Sequence, residues 1–191
     1  MLRKIIASLT LAASLFFIGS TDIEASTTHT VKSGESLWIL ANQYGVSVNE
    51  IKSLNNRSGN TIFVGERLTI PSALTAYEKR LLAQLVTAEA KGEPYAGQVA
   101  VATVVLNRVD SNKFPNSVHG VIYESGQFTP VRTGSINQPA TASAVRAVNE
   151  AIAFRGQGSG SLFFYNPAIA TIHWNATRQH TITIGNHVFS K

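Results

Sequence analysis

"TAEAKGEPYAGQVAVATVVLNR", residues 87–108, sets two glutamates, Glu89 and Glu93, four positions apart and then runs into a segment almost without polar side chains. Upstream, Leu81, Leu82, Leu85 and Val86 mark one helical face, and stepping three or four residues further along it reaches Glu89. Gly92 and Pro94 stop the helix just beyond, so the carboxylate belongs to its last turn. The helix macrodipole disfavours negative charge there, and burial beside Leu85 and Val86 disfavours it as well; both raise the pKa. A carboxylic acid that keeps its proton near neutrality suits protonation of a leaving oxygen, the demand made by cleavage of a glycosidic bond. The same pattern also fits a stripe-edge glutamate that reaches to solvent or pairs with Arg108. Glu93, between Gly92 and Pro94, is expected to act locally, in capping or turn formation.

Downstream, "AGQVAVATVVLNR" is apolar nearly all round, as a buried central helix should be. "DSNKFPNSVHGVI" reads as a loop and a short apolar piece. "ESGQFTPVRTGSINQPA" follows as a long irregular stretch of the kind that often forms binding loops. "TASAVRAVNEAIAFRG" predicts an amphipathic helix with Val145, Val148 and Ile152 inward and Gly156 as its stop. "SLFFYNP" reads as a strand or extended segment, and "HTITIGNHVFSK" alternates on both sides of Gly185 and Asn186, a hairpin signal.

In the other direction lies a second unit. "HTVKSG" alternates like a strand, and "ESLWILANQYG" carries Leu37, Ile39, Leu40, Ala41 and Tyr44 at helical spacing, with Gly45 as C-cap. "VSVNEIKSLN" places Val48, Ile51 and Leu54 on one face, "NRSGN" is a loop, and "RLTIP" is a strand stopped by Pro71. The predicted order is strand, helix, helix, strand. Trp38 and Tyr44 are expected to fill this small core, and "SALTAYEK" is a short linker between the units.

The first 25 residues read as a secretory signal: Arg3 and Lys4, a largely apolar run over residues 5–18, and cleavage after Ala25. That run spans only about 21 Å as a helix, short of the ~30 Å hydrocarbon core, so no membrane span is expected after cleavage. Without the acids and bases of the leader, 14 basic and 9 acidic residues remain, a net charge of +5, and the chain has no cysteine to make disulfides. A basic exported protein suits an anionic wall or membrane surface. Nucleic acid fits poorly, because the basic residues are scattered and do not alternate with aromatics.

Residues 29–71 resemble a LysM module over their full 43 residues, matching through "SGESLWILA", "YGVSV", "IKSLN" and "VGERLTIP" in order and spacing. The resemblance implies binding to N-acetylglucosamine-containing glycans, chiefly peptidoglycan. Residues 76–191 resemble the SleB/CwlJ family of bacterial cell wall hydrolases, through "AEAKGEPYAGQVAVATVVLNRV", "GQFTPVRTGSINQPA" and "SLFFYNPAIATIHWNATRQ". Together these imply an α+β protein: a small βααβ LysM module followed by a lysozyme-like α+β catalytic domain.

In that family the catalytic acid precedes the "GEPY" motif, which here is Glu89. The family's motifs also imply Gln127, Phe128, Tyr165 and Asn166 as substrate-binding residues; aromatic faces and amides are the groups that hold sugars. Phe128, Phe163 and Trp174 fit a core role as well. The family commonly has Tyr-Gly before its glutamate, where this chain has Thr87 and Ala88, so a wall-binding protein without activity stays open beside the enzyme.

Ordinary glycosidases use two carboxylates. Residues 76–191 hold six acidic side chains, Glu78, Glu89, Glu93, Asp110, Glu124 and Glu150, and none but Glu89 has a compelling place. The resemblance favours lytic transglycosylation, in which one acid protonates the leaving oxygen and then helps the muramyl 6-hydroxyl close an anhydro ring. Muramidase hydrolysis with Asp110 or Glu124 as base is the near alternative. A zinc amidase using His173, His180 and His187 is the remote one, because their spacing is not that of a helical zinc pair. No cofactor or metal is implied, the expected partner is the N-acetylglucosamine/N-acetylmuramic acid strand, and oligomeric state has no signature in the sequence.

Overall fold

The computed structural model describes residues 26–170 and 174–191. The proposed leader and His173 lie outside the described residues, as does the side chain of Trp174. Strand β1 (Thr27–Thr30), helices α1 (Leu37–Tyr44) and α2 (Val48–Leu54) and strand β2 (Arg67–Ile70) make the first unit, with β1 and β2 antiparallel and His29 opposite Leu68. Ser36 caps α1 by accepting the Ile39 N–H at 3.2 Å, and Gly45 ends the helix at φ +65°, a conformation other residues rarely take. Ser47 and Glu50 form a capping box at the start of α2. Leu37, Leu40, Ala41, Val48, Ile51, Leu68 and Ile70 are the core.

Three side chains expected inside that core lie outside it, among them Ile39, which is 39% exposed on the outer side of α1. Trp38 is 48% exposed, because the small core is filled by Leu37, Leu40 and Ala41 on the other side of α1. Leu54 is 47% exposed, since six residues at about 100° each carry it roughly 120° round from Val48. Asn55 does the inward work instead. Its amide donates to the Ile51 and Thr69 carbonyls at 2.7 Å each and accepts the Thr69 N–H at 2.8 Å, tying α2 to β2. Tyr44 packs against the core from its edge and bonds His29 Nδ1 at 2.8 Å.

The second unit begins where Thr75 and Glu78 form a capping box for α3 (Ala76–Ala90). There follow α4 (Tyr95–Val109), α5 (Val118–Tyr123), α6 (Thr129–Thr133), a 3-10 turn (Ser135–Asn137), α7 (Ala142–Ala153), β3 (Phe163–Tyr165), a 3-10 turn (Trp174–Thr177), β4 (His180–Ile184) and β5 (His187–Ser190). Helices α3, α4 and α7 pack together, with α4 central and Val101, Ala102, Val104, Val105 and Leu106 fully enclosed. The strands form an antiparallel sheet in the order β3-β5-β4, and Gly185 turns the hairpin at φ +59°.

Two expectations for this unit are corrected. Val145 is 44% exposed because α7 buries its alanines, Ala144, Ala147 and Ala151, with Val148 and Ile152; these small side chains let the helices approach closely and shift the buried stripe away from Val145. The stretch after Phe128 is not irregular: Pro130 sits in the first turn of α6, where its missing N–H costs nothing, and Gly134 closes the helix at φ +76°.

The units touch directly. Ala153, at the end of α7, is buried in the core of the first unit. Ser47 Oγ donates to the Arg155 carbonyl at 3.0 Å, and the Arg155 guanidinium donates to both Asp110 oxygens at 3.0 and 2.6 Å with Glu50 3.8 Å away. No described helix is long and apolar enough to cross a membrane.

Candidate active site

Glu89 is the penultimate residue of α3, and the chain turns away at Lys91 before Pro94 opens α4. The carboxylate is half-buried and has no hydrogen bond or ion pair among the described residues. Burial pushes its pKa up from 4.5 to about 7. It lines a groove of about 640 Å³ whose walls come from the end of α3, the stretch 126–130, Ser135, the segment 163–166, Ile169, Arg108 and His187. Five separate parts of the chain therefore line the groove that holds this carboxylate.

All five residues singled out from sequence stand on this groove, but their settings differ. Gln127 is exposed, and its Oε1 accepts from Arg108 Nη1 at 3.1 Å, which leaves the amide NH₂ as its free donor side. Phe128 is only 5% exposed and packs against Phe164 beneath the Arg108 guanidinium, so it is wall as much as contact surface. Tyr165 ends β3, and the Asn166 side chain accepts the Ala168 N–H at 2.9 Å, shaping the turn that follows.

Arg108 is not the partner of Glu89. It is 5% exposed, donates Nε to the Leu162 carbonyl at 2.7 Å, and lies against the rings of Phe114, Phe128 and Phe163. Burial lowers its pKa to about 10, against the opposing attraction of Glu124. Its work is to hold the start of β3 to the loop bearing Gln127.

Glu93 also departs from expectation, because its role is not local. Its two oxygens accept the Asn186 N–H at 2.8 Å and the Asn186 side-chain amide at 3.1 Å, clamping the α3–α4 turn to the β4–β5 hairpin. Thr87, where the family usually has Tyr, donates to the Ala83 carbonyl at 2.8 Å and accepts the Thr141 N–H at 3.0 Å, tying α3 to the start of α7. The two bases considered for simple hydrolysis stand elsewhere: Asp110 is held by Arg155 at the contact between the units, and Glu124 is not on the groove wall. Among the described residues no three His, Asp or Glu side chains gather as a metal site, and His180 bonds Thr183.

The groove residue missed in sequence is His187, considered there only as a zinc ligand. It is 7% exposed, stands edge-on to Phe164 and Phe189, and its Nδ1 is enclosed without a hydrogen-bond partner. The alternation of "HVFS" places it on the same side as Phe189, which was the signal available.

Residues 92–190 match the Cell Wall Hydrolase family, and residues 29–71 match the LysM domain. The chain belongs to the cell wall hydrolase family. It is 43% identical over 122 residues to a spore cortex-lytic enzyme of Bacillus cereus, covering 64% of this chain and 47% of that protein. A spore cortex-lytic enzyme of Bacillus subtilis strain 168 is 44% identical over 120 residues, 63% of this chain and 39% of the other. The chain thus spans less than half the length of these curated relatives. Among solved structures, the catalytic domain of the germination-specific lytic transglycosylase SleB from Bacillus anthracis is similar at a TM-score of 0.60 and 42% identity, covering 64% of this chain and 100% of that domain. The family match begins at residue 92, three residues beyond Glu89, so the case for that glutamate rests on the groove itself.

Proposed function

We propose that the protein is exported by residues 1–25, held on peptidoglycan by residues 29–71, and cuts the glycan strand through residues 76–191 by lytic transglycosylation with Glu89 as acid and base. The observation that carries this reading is a solitary carboxylate: Glu89 is the only acidic side chain on the groove wall among the described residues, and burial raises its pKa to about 7, so a large share of it carries the proton near neutrality. Glu89 gives its proton to the glycosidic oxygen as the bond from muramyl C1 breaks, leaving oxocarbenium character at C1. The resulting carboxylate takes the proton of the muramyl 6-hydroxyl while O6 bonds to C1. One carboxyl group thus serves both steps and is regenerated, and the second carboxylate that hydrolysis calls for is not needed. Gln127, Tyr165 and Asn166 present amide and hydroxyl groups to the sugar, and Phe128 backs them. The relatives named for the spore cortex make cortex peptidoglycan the wall material of choice for testing.

The test is a mass spectrum of the fragments released from purified peptidoglycan by the full mature chain. Transglycosylation predicts glycan ends in an anhydromuramic residue, one water lighter than a hydrolysed end. Reducing muramic ends would assign hydrolysis, and release of free stem peptides would assign an amidase.

A further inference from the structure

His187 opens β5 directly after the hairpin turn, and that turn is fixed because Asn186 gives two hydrogen bonds to Glu93. The ring is held edge-on by Phe164, with centroids 5.2 Å apart, and by Phe189 at 6.2 Å. It forms part of the groove wall that also carries Glu89, although it is only 7% exposed. Nδ1 is sealed in protein with no partner, so Nε2 is the nitrogen left to address the groove. A neutral imidazole carries its proton on one nitrogen, and a buried N–H without an acceptor is rarer and costlier than a bare lone pair. The favoured tautomer therefore leaves Nδ1 bare and places the proton on Nε2. Taking up a second proton would create the buried, unpartnered N–H at Nδ1. Desolvation accordingly lowers the ring's pKa, against the opposing pull of the nearby Glu93 carboxylate.

We propose that His187 is a neutral hydrogen-bond donor of the groove, giving its Nε2–H to the acetamido carbonyl oxygen of a bound amino sugar. This rests on the glycan-cleaving reading above. An amide carbonyl is the strongest uncharged acceptor that an N-acetylated strand offers. A lactyl or stem-peptide carboxylate would instead favour an imidazolium, which the enclosed Nδ1 opposes. A base would need the proton on Nδ1 and a bare Nε2, the tautomer that the enclosure also opposes.

The experiment compares the full mature chain with His187→Phe and His187→Gln on soluble, peptide-free glycan oligomers, fully N-acetylated or chemically de-N-acetylated. Phe keeps the ring packing and removes the donor, whereas Gln restores a neutral donor. The expected result is KM raised roughly tenfold in His187→Phe with kcat changed less than about threefold, and near-parent KM in His187→Gln. De-N-acetylation should raise the parent's KM by about the same factor and leave that of His187→Phe unchanged. The fall in rate above pH ~7 should be common to all three, because it belongs to Glu89. Parent-like KM in His187→Phe overturns the proposal, as does equal loss on de-N-acetylation in parent and variant. A kcat collapse in His187→Gln together with loss of the acid-side ionisation would make the ring a base instead. Glu89→Gln separates this from the wider reading: if that variant still cuts, the wider reading fails whatever His187 does.

Discussion

Glu35 and Glu89 are the same residue in opposite circumstances, and the contrast between them is the contrast between the two halves of the molecule. In the LysM unit Glu35 accepts the Lys32 N–H at 2.7 Å and bonds His29 at 2.7 Å, and these bonds, the backbone one foremost, hold its carboxyl below the usual range. His29 is buried but has Tyr44 on its other nitrogen, and Ser47 is buried inside a capping box. In the second unit the half-buried Glu89 has no described partner, His187 leaves Nδ1 unsatisfied, and burial pulls Arg108 down to about 10. A polar group that is paired contributes order; one left unpaired in a groove keeps its capacity for a substrate. The LysM unit pairs His29 and Glu35 with each other, whereas the groove keeps the Glu89 carboxyl without a described partner.

The largest effect that would break this contrast is on turnover. Glu89→Gln keeps shape and neutral hydrogen bonding but has no proton to give, so cleavage of soluble glycan should fall by about 10²- to 10⁴-fold. Glu35→Gln should leave that turnover unchanged. The parent's rate should also decline as pH rises through about 7, where Glu89 loses its proton. Equal turnover in parent and Glu89→Gln would make Glu89 a packing residue.

A second effect, on stability, has the opposite sign. The folded-state pKa of Glu89 lies above its ordinary 4.5, so its contribution is fully present below that value and is lost as pH rises through about 7. Glu89→Gln escapes that loss. At pH ~8 it should be more stable than the parent by on the order of 2 kcal/mol, and the gap should close by about pH 4.5. Denaturant unfolding at the two pH values measures it; a variant less stable than the parent at the higher pH would mean that the ionised carboxylate has a partner.

Much of this contrast was legible in the sequence where signals are local. Gly45, Pro71, Gly92 and Pro94 mark where elements stop, and the stripe through Leu85 points to Glu89 in a last turn. What escaped was set by distant packing. His187 reaches the groove only because β3 pairs with β5, Phe164 opposite Phe189, a long-range match with no local trace. Glu93 likewise acts on a residue 93 positions away. Trp38 and Val145 are misplaced in the sequence reading because hydrophobicity outweighs size there: Leu37, Leu40 and Ala41 already fill the small core against α1, and alanines make much of the buried face of α7.

The contact between the units gives a smaller effect. Arg155→Ala removes a two-pronged bond to Asp110 within the second unit and the 3.8 Å approach to Glu50 across the contact, from a side chain only 16% exposed, and should cost about 1 kcal/mol while leaving turnover of soluble glycan intact. A matching fall in turnover would mean that the Arg155–Asp110 pair, at the end of the second unit where the LysM unit docks, shapes the groove.

The smallest effect belongs to Glu93, four residues beyond Glu89 and so the sharpest control for it. Desolvation acts to raise its pKa, but the two bonds from Asn186 outweigh it, and the net direction is down. A depressed carboxylate contributes stability above its ordinary pKa and loses it as pH falls through the folded value. In Glu93→Gln one oxygen still accepts the Asn186 N–H, while the new NH₂ faces a second donor and forfeits the other bond. The expected cost is under about 1 kcal/mol at pH 7 and is smaller at pH ~3, below the ordinary carboxyl range, with kcat within about threefold of the parent because no proton transfer passes through this side chain. Unfolding at both pH values, together with turnover at pH 6, checks it. Should Glu93→Gln be inert while Glu89→Gln still cuts, the two glutamates of the opening stretch exchange roles, and the paired residue is the one that does chemistry.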